Sequence, residues 1–276
     1  MSDNINNLNK VIEYIEEHIT EDFSYKDLSK IAFVDEFTLH KIFYFLANIS
    51  LSEYIRKRRL TRAGIELQNS NIKVIDFAVK YGYDSPQAFT RAFYKIHEIK
   101  PSELKRTKVY LKSFPVIKFD NNYNIQKELN YKIKYQEELI LYGKYIETNI
   151  ENIKAEAPMF WKSISNDKIY NNIGHDVMFG IIEYDNKFPF PEKAKYYIAT
   201  KEVVASWQQI VIPKSEYAIF KIDNISGEYM SGFSKKVYSN WIPYSGYNIK
   251  NAPELEVYYK NHTAWWLPII KKSDFY

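Results

Sequence analysis

The chain has 276 residues, 46% of them hydrophobic, with no cysteine and a formal charge of +4. At roughly 100–200 residues per domain this length suggests two cored domains, and ordinary charge content argues against disorder. Disulfides, thiolate metal sites and a cysteine nucleophile are excluded, and no apolar run or N-terminal signal points to a membrane or to export, so a cytoplasmic protein with no membrane partner is the expectation.

The charge is unevenly placed. Residues 1–40 hold 3 basic and 9 acidic side chains, whereas residues 41–108 hold 14 basic and 6 acidic ones. A basic block of this kind fits either a polyanion footprint or a solvated surface.

Residues 1–110 read as an all-α domain. Apolar residues recur at helical spacing in Leu8, Val11, Ile12 and Ile15, then Leu39, Ile42, Phe43 and Leu46, then Phe89, Ala92 and Phe93. Two stretches about 50 residues apart, 27–43 and 77–93, share one design: a short amphipathic helix, a tight turn and a second helix. In the second copy Gly82 supplies the turn, Ser85 the N-cap and Pro86 the first helical position. Asp35 caps the second helix of the first copy. Phe37, His40, Lys41 and Tyr44 fall outside the apolar stripe of one second helix, and Gln87, Thr90, Arg91 and Lys95 outside that of the other. Such side chains can read base edges, and Arg56, Lys57, Arg58, Arg59 and Arg62 lie on the helix that joins the copies; Arg56 and Arg59 there, and Lys95 on the second helix of the second copy, are candidates for phosphate contacts.

Residues 111–124, with a Pro and a polar cluster, read as a linker. From 125 to 276 the register changes. Tyr131–Tyr135, Leu139–Tyr142, Tyr196–Ala199, Tyr217–Ile222 and Leu255–Tyr259 are β-branched and aromatic and read as strands. Helical stretches fall near Ile153–Ile164 and Glu228–Trp241, so the pattern is α+β in two similar halves. All five Trp lie here. If 254–259 is a strand, Glu256 and Tyr258 share a face. A carboxylate among rings suits a cationic ligand; a solvated strand residue beside a plain aromatic core fits the pattern as well. The five His show no metal-ligand spacing, no phosphate loop occurs, and no catalytic residue, metal or cofactor is assigned. His175, in the stretch 173–176, reads as an ordinary loop histidine.

Two resemblances sharpen this reading. The stretches FTLHKIF, LSEYIRKRRLTRAGIEL and VIDFAVKYGYDSPQAFTRAFYKIHEIKPSELKR resemble the DNA-binding domain of the AraC/XylS transcription regulators over residues 7–107. The resemblance implies seven helices in two helix-turn-helix units, with Phe37, His40, Lys41, Gln87, Thr90 and Arg91 facing bases in promoter DNA and RNA polymerase as a partner. Phe33 stands where that family usually has Gly, Lys41 where Arg is frequent, and Pro86 where a polar contact residue is frequent. Two recognition helices on one body imply a reader of successive major grooves, ~34 Å apart on one DNA face.

The stretches WIPYSGY, APELEVYY and WLPII resemble the GyrI-like effector-binding domain over most of residues 125–271. That likeness implies two pseudo-repeated strand-helix-strand-strand units around a cleft for a small molecule, often a lipophilic cation. Glu256 takes the ligand carboxylate position, and Trp161, Phe179, Tyr197, Trp241 and Trp266 are the pocket rings so implied. The expected protein is a regulator sensing a small effector, not an enzyme. The alternatives are a GyrI-like hydrolase using Glu256 and a regulator whose second domain makes only protein contacts.

Overall fold

A computed structural model describes residues 4–69, 73–104, 111–119, 129–166, 170, 176–185, 193–222, 227–242 and 245–274. The chain divides into two compact units, Met1–Asn121 and Asn122–Tyr276. His175 and residues 120–124 lie outside the described residues.

The first unit holds seven helices among its described residues: α1 (Asn4–Glu17), α2 (Tyr25–Ala32), α3 (Glu36–Ala47), α4 (Leu51–Gln68), α5 (Val74–Lys80), α6 (Pro86–His97) and α7 (Pro101–Leu104). Their starts follow capping chemistry. Ser24 and Asp27 form a capping box on α2, Asp35 accepts from the Thr38 N–H on α3, and Ser85 accepts from the Ala88 N–H with Pro86 in the first turn of α6. Gly82 takes φ 74° in the turn between α5 and α6. Phe33 closes α2 with φ 54° and is 60% exposed, so a left-handed residue carries a side chain that gains little from packing. Leu60, Ala63, Leu67, Phe77, Phe89 and Phe93 form the core of the second helix pair, each large ring contributing roughly 1.5–3 kcal/mol of burial.

Residues 111–119 hold no helix or strand but belong to this unit, so the predicted linker is corrected over that stretch. The Phe114 N–H donates to Thr61 Oγ1 (3.1 Å) and its carbonyl accepts from Arg58 Nη1. Backbone groups that find such partners dock instead of remaining in water.

Among its described residues the second unit is one antiparallel sheet with two α-helices. Its strands are β1 (Tyr131–Gln136), β2 (Leu139–Asn149), β3 (Val177–Tyr184), β4 (Lys193–Thr200), β5 (Gln208–Ile212), β6 (Ser215–Ile222), β7 (Tyr247–Ile249), β8 (Glu254–Tyr259) and β9 (Thr263–Lys271). Helix α8 is Ile153–Ser165, and α9 is Gly227–Lys236, continued by a π-helical turn at Val237–Trp241. The order is β1-β6-β9-β8-β3-β4-β2-β5, with β7 on β9. The halves β2-α8-β3-β4 and β6-α9-β8-β9 meet at the β3/β8 ladder. Their leading strands are exchanged: β1 pairs with β6 of the second half and β5 with β2 of the first.

Strand β3, absent from the strands read in the sequence, is apolar almost throughout because both of its faces are covered. Phe179 and Ile181 join one core cluster, whereas Met178, Ile182 and Tyr184 join another with Ala157 and Ile164 of α8. Alternation vanishes from a strand in that position.

Candidate functional site

Helix α6 presents a divided surface. Phe89 and Phe93 are fully buried, while Gln87, Arg91 and Lys95 are exposed on the same helix. The Thr90 hydroxyl donates to the Pro86 carbonyl (2.7 Å), so it is engaged by the helix's own backbone.

Helix α3 differs. None of its residues is exposed, and His40 and Lys41 have 0% relative accessibility, which corrects the expectation of a free face at those two positions. Phe37 is half-buried, and the Lys41 ammonium lies 5.2 Å from its ring centroid. The His40 ring sits edge-on to Tyr25 at 4.5 Å, and burial pushes its pKa down to about 4, leaving it neutral at pH 7. The cause is legible in EFTLHKIFYFLA: rings and aliphatics occur all round this helix, and a helix apolar all round is covered on every side.

The basic residues of α4 are largely engaged. Arg56 Nη2 pairs with Glu53 Oε2 at 2.6 Å. Arg59 donates to the carbonyls of Ile19 (3.0 Å) and Glu21 (3.1 Å), which makes it a clamp on the α1–α2 connection and corrects its assignment to phosphate. A β-carbon on Gly82 would stand 2.9 Å from Arg59 Nη1, so the guanidinium would have to shift to admit one. Buried Arg58 bonds Glu16 through two 2.7 Å contacts. Arg62, Arg91 and Lys95 are exposed cations of the unit.

In the second unit Glu256 lies on β8, beside the pseudo-symmetric centre. Its Oε2 accepts from the hydroxyls of Tyr196 and Tyr258, each at 2.7 Å. Tyr196 also accepts from Trp161 Nε1 at 2.9 Å, and Trp161 stands edge-on to Tyr258 with centroids 5.0 Å apart. Gly180 of β3 is the register partner of Glu256. A β-carbon there would approach Tyr196 Oη to 2.5 Å and Glu256 Oε2 to 2.7 Å. Only a residue without a side chain lets the two meet across the ladder.

Glu256 retains accessible surface. Even so, desolvation by its surroundings is the largest influence on it and raises its pKa; the two hydroxyl bonds oppose that rise, and the Glu254 charge adds to it. Tyr196 and Tyr258 are held protonated by burial and by the adjacent carboxylate. The result is a desolvated carboxyl group with hydroxyl donors and rings around it, an environment that, once the group is ionised, favours an incoming cation. Glu254, on the same strand face, receives the Tyr184 hydroxyl at 3.2 Å and the Tyr238 hydroxyl at 3.4 Å.

Of the five rings expected here, the structure brings Trp161 to the carboxylate. Phe179, Tyr197 and Trp266 lie together on the opposite face of the sheet, in a cluster with Leu255 and Val257, which corrects their assignment to the pocket. Tyr197 donates to Glu183 at 2.7 Å instead. Each of these three neighbours, by one residue, a position on the Glu256 side: Gly180, Tyr196 and Trp265. Side chains alternate along a strand, so a one-residue choice reverses the face. Trp265, the register partner of Glu256, is the tryptophan on the Glu256 side. Trp241 packs on Phe220 (5.1 Å) and Tyr131 (4.8 Å); Phe220 in turn meets Trp265 at 6.0 Å, so Trp241 is two rings removed from Glu256. Tyr196 and Tyr258 were missed as partners, although Tyr258, at i+2 from Glu256, carried a same-face signal.

Among the described residues no cluster of three or more His, Asp or Glu is placed to hold a metal ion, and no helix is long and apolar enough to cross a membrane.

Comparison with known proteins bears on both units. A helix-turn-helix domain model matches residues 28–107, and a model described as integron-associated effector binding protein matches residues 132–269. The HTH-type transcriptional activator AarP of Providencia stuartii is 35% identical over 95 residues, covering 34% of this chain and 70% of AarP. An uncharacterised HTH-type transcriptional regulator of Bacillus subtilis, YbfP, is 29% identical over 136 residues, and the match spans 49% of this chain but only 42% of YbfP. A solved putative transcription regulation protein from Staphylococcus aureus MU50 aligns with 51% of this chain and 99% of its own, at 19% identity and a TM-score of 0.43. The chain belongs to the AraC-type helix-turn-helix transcription regulators and carries, behind its DNA-binding unit, a domain of the integron-associated, GyrI-like effector-binding family.

Proposed function

We propose that this DNA-binding regulator is a one-component sensor: the helical unit reads a promoter, and a small cation held at Glu256 changes how well it does so. The observation that carries the sensor reading is the desolvated Glu256 carboxylate, bonded by Tyr196 and Tyr258 at 2.7 Å with Trp161 against them. A lipophilic cation supplies the missing countercharge and the apolar surface these rings favour. Occupancy alters DNA affinity only if the ligand binds the two states of the regulator unequally.

On the DNA side, α6 acts as a recognition helix in one major groove through Gln87 and Arg91, with Lys95 on phosphate, and α3 serves the neighbouring groove. Of the three α3 residues expected to face bases, Phe37 keeps some surface while His40 and Lys41 are enclosed. RNA polymerase is the natural downstream partner of such a reader.

Titration of intrinsic tryptophan fluorescence with tetraphenylphosphonium tests the sensor reading. Saturable quenching in the wild type and its loss in Glu256→Gln support it; identical titrations of the two proteins contradict it. The hydrolase alternative gains no observation beyond the carboxylate itself.

A further inference from the structure

The stretch 111–119 begins beyond the last residue of the helix-turn-helix match, which ends at 107, yet it is built into the first unit. Three grips hold it. At its start, Leu111 packs on the core of the second helix pair and fills the space beside Gly64, where a β-carbon would stand 2.9 Å from Leu111 Cδ1 and 3.2 Å from His97 Nε2. Lys112 pairs there with Glu98, the residue that caps α6, at 2.5 Å. In the middle, Phe114 is bonded on both backbone groups by α4, through Thr61 and Arg58, and its ring lies edge-on to Tyr54 at 6.1 Å. At its end, the side-chain amide of Asn9 grips both backbone groups of Phe119, donating to its carbonyl at 2.8 Å and accepting from its N–H at 2.9 Å. The Phe119 ring then meets Phe43 on the inner side of α3, edge-on at 5.7 Å.

One strap therefore touches the end of α6, the joining helix α4, and both α1 and α3. Two helix-turn-helix units with separate cores, joined by a single helix, have a soft relative pitch unless something crosses between them. We propose that residues 111–119 fix that pitch, and so act as positioning residues for DNA recognition that set which half-site spacing the protein accepts. The inference rests on the two-groove reading above. It assigns to a segment outside the helix-turn-helix motif a share of sequence discrimination, exerted through geometry and not through contact with DNA. A pitch held rigidly penalises a duplex whose two grooves are displaced along and around the axis by one base pair, because either the protein or the DNA must deform.

The test uses the full chain and a duplex selected by it from a random pool, together with versions carrying one base pair added or removed between the two contacted halves. Binding is read by fluorescence anisotropy at fixed salt. The wild type is expected to lose about tenfold or more in affinity on either altered duplex. The Asn9→Ala/Phe119→Ala variant is expected to hold the selected duplex within about threefold of wild type while its penalty for altered spacing shrinks to about threefold or less. Asn9→Ala alone, which removes two hydrogen bonds from a partly exposed site, is expected to show the same trend and covers the case in which the double variant is poorly folded. Hydrogen exchange at α3 and α6 reports that the helices themselves persist. An unchanged spacing penalty in Asn9→Ala, or an equal loss of affinity on all three duplexes, overturns the strap's role while leaving the two-groove reading in place. A wild type indifferent to spacing overturns the two-groove reading, and the strap's role with it.

Discussion

Gly180 faces Glu256 across the β3/β8 ladder, and the Tyr196 hydroxyl reaches the carboxylate through the space a β-carbon on Gly180 would fill. The proposed effector site is thus set by an absent side chain as much as by those present. Gly180→Ala must separate Tyr196 from Glu256 or shift the strands. We expect about a tenfold or greater loss of tetraphenylphosphonium affinity, with overpacking costing roughly 1–3 kcal/mol of stability. Calorimetric titration and thermal unfolding of the variant check the two effects separately.

The raised pKa of Glu256 gives a signed pH dependence. The folded protein holds this proton more tightly than the unfolded chain does. The stability that protonation supplies is therefore fully present below the ordinary glutamate pKa of about 4.3 and is lost as pH rises through the higher folded value. Cation affinity runs the other way, rising over the same window as the carboxylate ionises. Glu256→Gln should flatten both profiles. Melting curves of the full chain from acid to neutral pH, with and without tetraphenylphosphonium, measure this.

Arg91 is exposed on α6, while His40 and Lys41 are enclosed. Arg91→Ala is expected to cost about 1–3 kcal/mol of specific DNA binding and to relax preference at one position of the selected duplex. Lys95→Ala should weaken binding across sequences and lower the dependence of affinity on salt by about one ion. Anisotropy titrations at several salt concentrations distinguish the two.

Phe33 sits at φ 54° with most of its surface in water. Phe33→Gly removes a left-handed strain of about 1–2 kcal/mol and adds backbone freedom to the unfolded chain, for a net gain of roughly 0.5–1 kcal/mol. Chemical denaturation with an unchanged slope and a higher midpoint checks it.

Much of this architecture was legible in the chain. The helix starts at Asp35 and Ser85 and the turn at Gly82 follow from capping and φ chemistry alone, and the paired strand-helix-strand-strand halves from the alternation of β-branched and helical text together with family likeness. The site was legible less evenly. Glu256 and Trp161 stand together through Tyr196, whereas Trp266 and Tyr197 face away from Glu256 and their neighbours Trp265 and Tyr196 face it, because adjacent aromatic residues give no local cue to which points inward. That choice depends on ladder register, a long-range property. The enclosure of His40 and Lys41 and the docking of 111–119 also depend on what packs against them, through Tyr25 on His40, Asn9 on Phe119 and Arg58 on Phe114. A nine-residue stretch with no periodicity gives no sign that its backbone is gripped at two residues.

The proposed sensor requires that Glu256 and the DNA-reading unit be energetically linked. The most direct measurement of that link is the affinity of the full chain for its selected duplex with and without saturating tetraphenylphosphonium, in the wild type and in Glu256→Gln. A change of about fivefold or more is expected in the wild type, within the usual span of coupling energies, and none in the variant. Equal affinities with and without the cation in the wild type, or the same change in both proteins, would contradict it.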